Sequence, residues 1–224
     1  MHPLDRPVWH SLSTHLEALS IGGPLARRFQ RDINLFASAR DDSPEALAAL
    51  AGLVQPGEQV YLLQVPTIVV PPGCVPVKQA MGVQMVATRS LRDEGPFDDI
   101  VALGDADAPE MLALARLTEP GPFLERTHTM GRFVGVRIGD RLAAMAGERM
   151  HLPGHTEVSG VCTHPDFRGR GLARRLSAAV AVAIEARGER PFLHAWRGNQ
   201  AAITLYESLG FALRAEVNVA VLAR

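Results

Sequence analysis

Between residues 157 and 211 the chain sets acids, glycines and hydroxyls at spacings that could do chemistry. Glu157 opens the run Glu157-Val158-Ser159-Gly160-Val161-Cys162-Thr163, and the turn Arg168-Gly169-Arg170-Gly171 leads into Leu172 and Ala173. His194, Asn199 and Tyr206 follow. A glycine turn opening a helix is an anion site, because the first backbone N–H groups lack helical partners and the helix dipole favours negative charge. Small residues at 169, 171 and 173 let a ligand approach the main chain. Arg168, Arg170 and Arg174 supply charge-assisted donors, so a pyrophosphate is the natural guest.

The elements that must position these groups are readable around them. Glu157 to Thr163 and Phe192 to Trp196 read as strands. Leu172, Leu176, Val180 and Ile184 fall on one helical stripe, which places the glycine turn at a helix N-terminus. Upstream, Asp99–Leu103 reads as a short strand, and Asp107 caps a helix through Leu117 with Glu110 three residues on. Residues 133–138 and 142–146 form a hairpin turning at Gly139-Asp140. Downstream, Phe211, Leu213, Ala215, Val217, Val219 and Val221 share one parity, so one or two antiparallel strands close the sheet. From residue 98 the order is strand, helix, three strands, helix, strand, helix, strand: an α/β fold with a mixed sheet and helices on its faces.

Residues 1–95 are less regular. Ser43-Pro44-Glu45 starts a helix with Leu47, Leu50 and Val54 on its apolar face. Residues 60–64, 67–70 and 82–87 read as strands broken up by prolines. The polar, Gly-Pro-containing segment Ser90–Pro96 marks the expected boundary between an N-terminal accessory domain, 1–95, and a catalytic domain, 96–224.

Composition narrows the class. With 224 residues and 47% hydrophobic content a sizeable core is available. A formal net charge of −1 argues against a general nucleic-acid binder. No signal-peptide pattern and no membrane-length apolar run occurs, and two lone cysteines suit a reducing compartment, so the expected location is cytoplasmic. No metal-ligand spacing appears. A P-loop would need Gly-Lys-Ser/Thr, and a dinucleotide fingerprint would need glycine where Arg174 stands, so neither fits.

The segment resembles the GNAT superfamily of acetyl-CoA-dependent N-acetyltransferases over about residues 98–224, and residues 1–95 either pack on it and narrow the acceptor site or form a degenerate GNAT-like half that lacks both motifs. Arg168, Gly171 and Ala173 match its pyrophosphate motif. Asn199, Tyr206, Leu209, Gly210 and Phe211 match its later Asn-helix-Leu-Gly-Phe motif. The text around Cys162-Thr163-His164-Pro165 looks like the glycine-acyltransferase-like branch. The resemblance implies a GNAT acyl-CoA N-acyltransferase fold with acetyl-CoA as co-substrate. It implies that main-chain groups of Val161, Cys162 and Thr163 pair with the pantetheine arm, with a backbone N–H there stabilising an oxyanion. Arg168, Gly169, Arg170, Gly171, Leu172 and Ala173 would hold the pyrophosphate, and Asn199 would contact the cofactor arm. Tyr206 would protonate the departing thiolate. Glu157 is the first candidate for general base, His194 the second. The acceptor would be a small-molecule or peptide amine. The oligomeric state, a homodimer included, is open.

Each residue also has a plainer reading. Tyr206 as a core aromatic is outweighed by its place in the motif, whereas Glu157 as a solvated strand-end charge stands level with Glu157 as base. Cys162 reads as a small buried hydrophobe and His194 as a structural histidine. In the loop after the first catalytic-domain helix, Glu125, Arg126 and His128 either shape acceptor choice or are exposed polars. The expected function is acetyl transfer from acetyl-CoA to a primary amine; the rival is a non-catalytic acyl-CoA-binding or regulatory module.

Overall fold

The computed structural model describes residues 2–224. In chain order the elements are α1 (Pro7–Leu12), β1 (Ser20–Gly22), β2 (Ala26–Phe29), β3 (Ala37–Ala39), α2 (Pro44–Gly52), β4 (Gln59–Gln64) and β5 (Val75–Ala87). They continue with β6 (Val101–Leu103), α3 (Ala108–Thr118), β7 (Phe133–Ile138), β8 (Arg141–Leu152), β9 (His155–Thr163), α4 (Leu172–Ala186), β10 (Arg190–Trp196), α5 (Gln200–Ser208) and β11 (Phe211–Ala223). From β6 onward this is the order read from the sequence. No helix among the described residues is long and apolar enough to cross a membrane.

Eight strands form one sheet in the order β4-β11-β5-β10-β9-β8-β7-β6, and β1-β2-β3 form a small second one. Only β9 and β10 run parallel within the large sheet. The polar segment near residue 95 therefore does not separate two sheets. Strand β5, from the expected accessory part, lies between β10 and β11 of the expected catalytic part, and β4 extends the same sheet beyond β11.

Prolines misled the strand reading at two places. Residues 67–70 form no strand, whereas β5 runs through Pro76. The strand tolerates that proline because β10 pairs only with residues 82–86 of β5, so the earlier half of β5 has no neighbour on the β10 side.

Strand alternation sends side chains to two different covers. On one face Val83, Met85 and Leu193 meet Leu176, Val180 and Ile184 of α4, together with Leu209 and Phe211. On the other Val86, Phe192, Leu152 and Val219 meet Leu4, Val8, Leu12, Phe29 and Phe36 of the N-terminal segment. That segment is thus a lid over half of one sheet face. Helix α2 starts where Ser43 accepts from the Ala46 N–H, and packs Leu47 and Leu50 near Val60 and Leu222.

Of the register shifts in the large sheet, three frame the site. Arg214 is the extra residue in β11 between the Leu213–Met85 and Ala215–Gln84 pairs, so Phe211 faces α4 while Val219 faces the lid, contrary to the one-parity stripe, and Leu213 is exposed. Arg149 and Met150 bulge from β8 between its pairs with Val158 and Thr156. Gly160 and Val161 bulge from β9 opposite Ala146, with Gly160 at φ 63°.

Candidate active site

Strands β9 and β10 pair only at 155–157 with 190–192, and then part. The edge of β9 from Val158 to Thr163 and the end of β10 from His194 to Trp196 become the two walls of a cavity of about 810 Å³. At its far end lies the turn Arg168–Ala173. Asn199, Leu205 and Tyr206 close one side, and Thr118–Pro122 another.

The turn has the geometry its composition suggests. Gly169 and Gly171 have φ of 77° and 72°, values that L side chains resist. A Cβ at either would meet no atom within 4 Å, so the glycines serve the backbone path and the open space above it. Gly171 is the N-cap of α4 and supplies no side-chain cap, so the helix presents its first N–H groups to the cavity end. With the free edge of β9, the turn bounds an elongated cleft, and Val161, Cys162, Thr163, Arg168, Gly169, Arg170, Gly171, Leu172 and Ala173 all line it.

Asn199 caps α5: its Oδ1 accepts from the Ala202 N–H at 3.1 Å, which leaves the amide NH2 to face a ligand. Tyr206 lines the cavity with its ring edge-on to Phe211, centroids 6.1 Å apart. Burial pushes its phenol up to about 12, against a smaller opposing pull from Ser177. The hydroxyl is therefore protonated at neutral pH.

Glu157 is placed differently from the expectation of a base. It is fully buried, 0% exposed, and does not line the cavity. Arg149 grips it through Nε at 2.8 Å and Nη2 at 2.6 Å, and His194 Nδ1 lies 2.7 Å from Oε1. Burial would raise its pKa, yet the charge and hydrogen bonds of Arg149, then those of His194, overcome this and hold it at about 2. A carboxylate so stabilised in its ionised form is a poor proton acceptor.

His194 lines the cavity, but both ring nitrogens are occupied. A carboxylate can only accept and an amide NH2 can only donate. Nδ1 therefore donates to Glu157, and Nε2 lies 3.0 Å from the Gln84 NH2. Gln84 also donates to the Leu4 carbonyl and accepts from Arg214, which pairs with Asp5 at 2.7 Å. A polar ladder therefore crosses five neighbouring strands, Arg214 on β11, Gln84 on β5, His194 on β10, Glu157 on β9 and Arg149 on β8. The bulges at Arg214 and Arg149 set both arginines in it.

Cys162 is 6% exposed, and burial pushes its thiol up to about 11, so it is an inert packing residue. Glu125, Arg126 and His128 do not line the cavity; they pair with Arg116, Asp32 and Asp105. Residues 118–122 of the same loop line it instead. Sequence reasoning missed Arg149 and Gln84, because a bulge and a long-range strand pairing have no local signature. It also missed Phe36, Tyr61 and Leu63, which reach the cavity from the N-terminal segment.

Comparison with known proteins agrees with this geometry. The FR47-like protein family matches residues 133–220. A crystal structure of a GNAT-family protein from Novosphingobium aromaticivorans is 46% identical, covers 100% of this chain and 99% of its own, and superposes with a TM-score of 0.92. The chain belongs to the GNAT family. This GNAT acetyltransferase is also 32% identical over 121 residues to the [ribosomal protein bS18]-alanine N-acetyltransferase of Salmonella typhimurium, an alignment spanning 51% of this chain and 81% of that one. A GCN5-related N-acetyltransferase from Kribbella flavida shares the fold at 20% identity, covering 99% of this chain and 95% of its own with a TM-score of 0.63. The likeness to the Novosphingobium structure extends through the N-terminal lid, which belongs to the same architecture in both GNAT proteins.

Proposed function

We propose that this acetyltransferase moves an acetyl group from acetyl-CoA to a primary amine by direct attack within a ternary complex. The observation that carries the reading is the parting of β9 from β10 with the Gly169–Gly171 turn at its end. The free edge of β9 suits the amide-bearing pantetheine arm as an added strand at 161–163. The α4 N-terminus and Arg168–Ala173 suit the pyrophosphate. Asn199 would hold the arm through its free amide hydrogens.

In the step itself the amine lone pair attacks the thioester carbonyl carbon. The C–N bond forms, the C–S bond breaks, the nitrogen releases a proton, and the sulfur takes one. A backbone N–H of the bulged β9 segment would stabilise the oxyanion as it develops. Tyr206 lines the cavity beside the expected thioester, and burial keeps its phenol protonated. It would donate a hydrogen bond to the sulfur as the C–S bond breaks, and the thiolate takes up, through water, the proton that the nitrogen releases. Glu157 serves as a positioning residue that orients Arg149 and His194. The acceptor loses its ammonium proton to water before it attacks. The bS18-alanine enzyme's name points to a protein amine, so a peptide acceptor belongs to the class considered, as does the acceptor of a glycine-acyltransferase-like branch.

The test is isothermal titration with acetyl-CoA, followed by thiol release on adding amines. Binding with amine-dependent release of CoA supports the assignment. Folded protein that does not bind acetyl-CoA refutes it.

A further inference from the structure

The geometry points to an acceptor that is a cationic amine on a bulky apolar body, with Glu119 as the anchor of its ammonium group. The inference rests on the amine-acetylating reading above and deepens it.

Glu119 is the only carboxylate among the described residues lining the cavity. Its side chain makes no ion pair, and only its backbone N–H is engaged, to Ala115. The cations around it are segregated: Arg149 is neutralised by Glu157, and Arg168, Arg170 and Arg174 lie at the phosphate end. The acid stands between Thr118, which engages the Cys162 thiol, and Pro120-Gly121-Pro122, which lie with Arg149, Ser159 and Gly160 around an adjoining small pocket. That is the stretch of β9 away from the phosphate turn.

Two local rules are broken at Glu119. Its φ is +50°, the one positive value at a non-glycine residue among those described. It also places a negative charge at the C-terminal end of α3, where the helix dipole disfavours it. Glycine would satisfy both conditions. A residue that violates local preference twice, with no partner in the fold, is where a ligand group is expected.

The apolar partner surface lies in the same cavity. Phe36, Tyr61 and Leu63 reach it from the N-terminal lid and β4, joined by Val217 and Val219 of β11. Phe36 and Tyr61 meet edge to face at 5.9 Å, and the Arg149 guanidinium covers Phe36 at 4.9 Å. The first three fall outside the 133–220 region that the family shares, so this part of the wall is supplied by the N-terminal segment. Such a wall takes aromatic or branched aliphatic carbon, which polar amines do not offer.

The experiment is titration of 2-phenylethylamine into protein saturated with CoA, with ethanolamine and uncharged 2-phenylethanol as comparisons, against wild type, Glu119→Gln, Glu119→Gly and Tyr61→Ala. CoA saturation is confirmed first and the titration reads amine binding without turnover, so its failure is distinguishable from a failure to bind acetyl-CoA. Expected are measurable binding of 2-phenylethylamine, much weaker binding of ethanolamine, and about fivefold weaker binding of the aromatic amine to both Glu119 variants. The alcohol should bind wild type and Glu119→Gln alike. Glu119→Gly should raise the melting temperature while losing amine affinity, a divergence that a purely structural residue would not give. A Phe-Gly-Gly arm separates the sources: tighter binding than the free amine assigns the site to peptide N-termini, weaker binding to small amines. Equal affinity of wild type and Glu119→Gln for 2-phenylethylamine, or ethanolamine binding as well as the aromatic amine, overturns the proposal.

Discussion

Arg149 and Glu157 form a two-point ion pair across β8 and β9, with Nε–Oε2 at 2.8 Å and Nη2–Oε1 at 2.6 Å. The bulge in β8 makes it possible by adding a residue opposite Glu157, so the guanidinium meets the carboxylate fork to fork. The pair sits next to the cavity, with only its arginine reaching the wall. Glu157→Gln would leave Arg149 largely buried without its counter-charge and should cost about 3–5 kcal/mol of folding stability. Urea unfolding checks this. A variant as stable as wild type would show the pair to be dispensable. Adding Arg149→Met to Glu157→Gln should recover much of the loss.

The same pair sets an acid limit. The Glu157 pKa is depressed in the fold, to about 2 from an ordinary 4.5, so the native state binds this proton more weakly than the unfolded chain does. Its stabilising contribution is present above pH 4.5 and is lost as pH falls toward 2. Wild-type stability should therefore drop across that window. The drop should be shallower in the Glu157→Gln and Arg149→Met double variant, as read by circular dichroism at fixed ionic strength.

Tyr206→Phe keeps the ring that packs on Phe211 and removes the hydroxyl proposed to donate to the leaving sulfur. The turnover number should fall about 10²-fold while acetyl-CoA affinity stays within twofold. In wild type the rate should rise with pH as the acceptor loses its ammonium proton, with no downturn from the phenol below pH 10, because burial has pushed Tyr206 up to about 12. A downturn near pH 9 that vanishes in the phenylalanine variant would contradict this placement.

Gly171→Ala tests the phosphate cradle. No atom opposes the new methyl group, but φ of 72° costs an L residue roughly 1–2 kcal/mol. The α4 start should shift, CoA affinity should fall, and affinity for pantetheine, which lacks the phosphates, should hold. Equal losses for both ligands would place the phosphates elsewhere.

The local signals around the site were sound, those of residues 67–70 and of the β11 stripe were not, and the non-local ones were silent. The stripe Leu172, Leu176, Val180 and Ile184, the glycine turn and the Asn199 cap each depend on residues a few positions apart, and each stands where periodicity and turn chemistry put it. Glu157 was visible as an acid at a strand start. Its partner Arg149 was not, because the β8 bulge shifts the alternation that would place it. Phe211 and Val219 share a parity yet face opposite sides of the sheet, because the bulge at Arg214 shifts the alternation between them. Nothing local shows that β5 enters between β10 and β11, since the partners of Gln84 lie more than a hundred residues away. Glu119 looked like any loop acid, because a left-handed backbone at a glutamate has no sequence signature.

Residues 96–224 expressed alone should not give a stable monomer. Their β10 and β11 would each lose β5, exposing two strand edges, and the lid over Phe192 and Val219 would be gone. Soluble, cooperatively folding protein from that fragment would count against the shared sheet.

The insertion of β5 between β10 and β11 also sets a timetable for the nascent chain. The middle of the sheet is joined from one strand made early and two made late, so the first 95 residues leave the ribosome with Gln84 and Met85 still lacking neighbours. Folding must wait for β11 to arrive, which makes chain closure slow and leaves an apolar strand open to capture by chaperones or to aggregation in the interval. The ladder from Asp5 to Arg149 forms only at that closure. The cavity walls from the lid and from β9 thus come into register in one event, and a prematurely terminated chain would have neither.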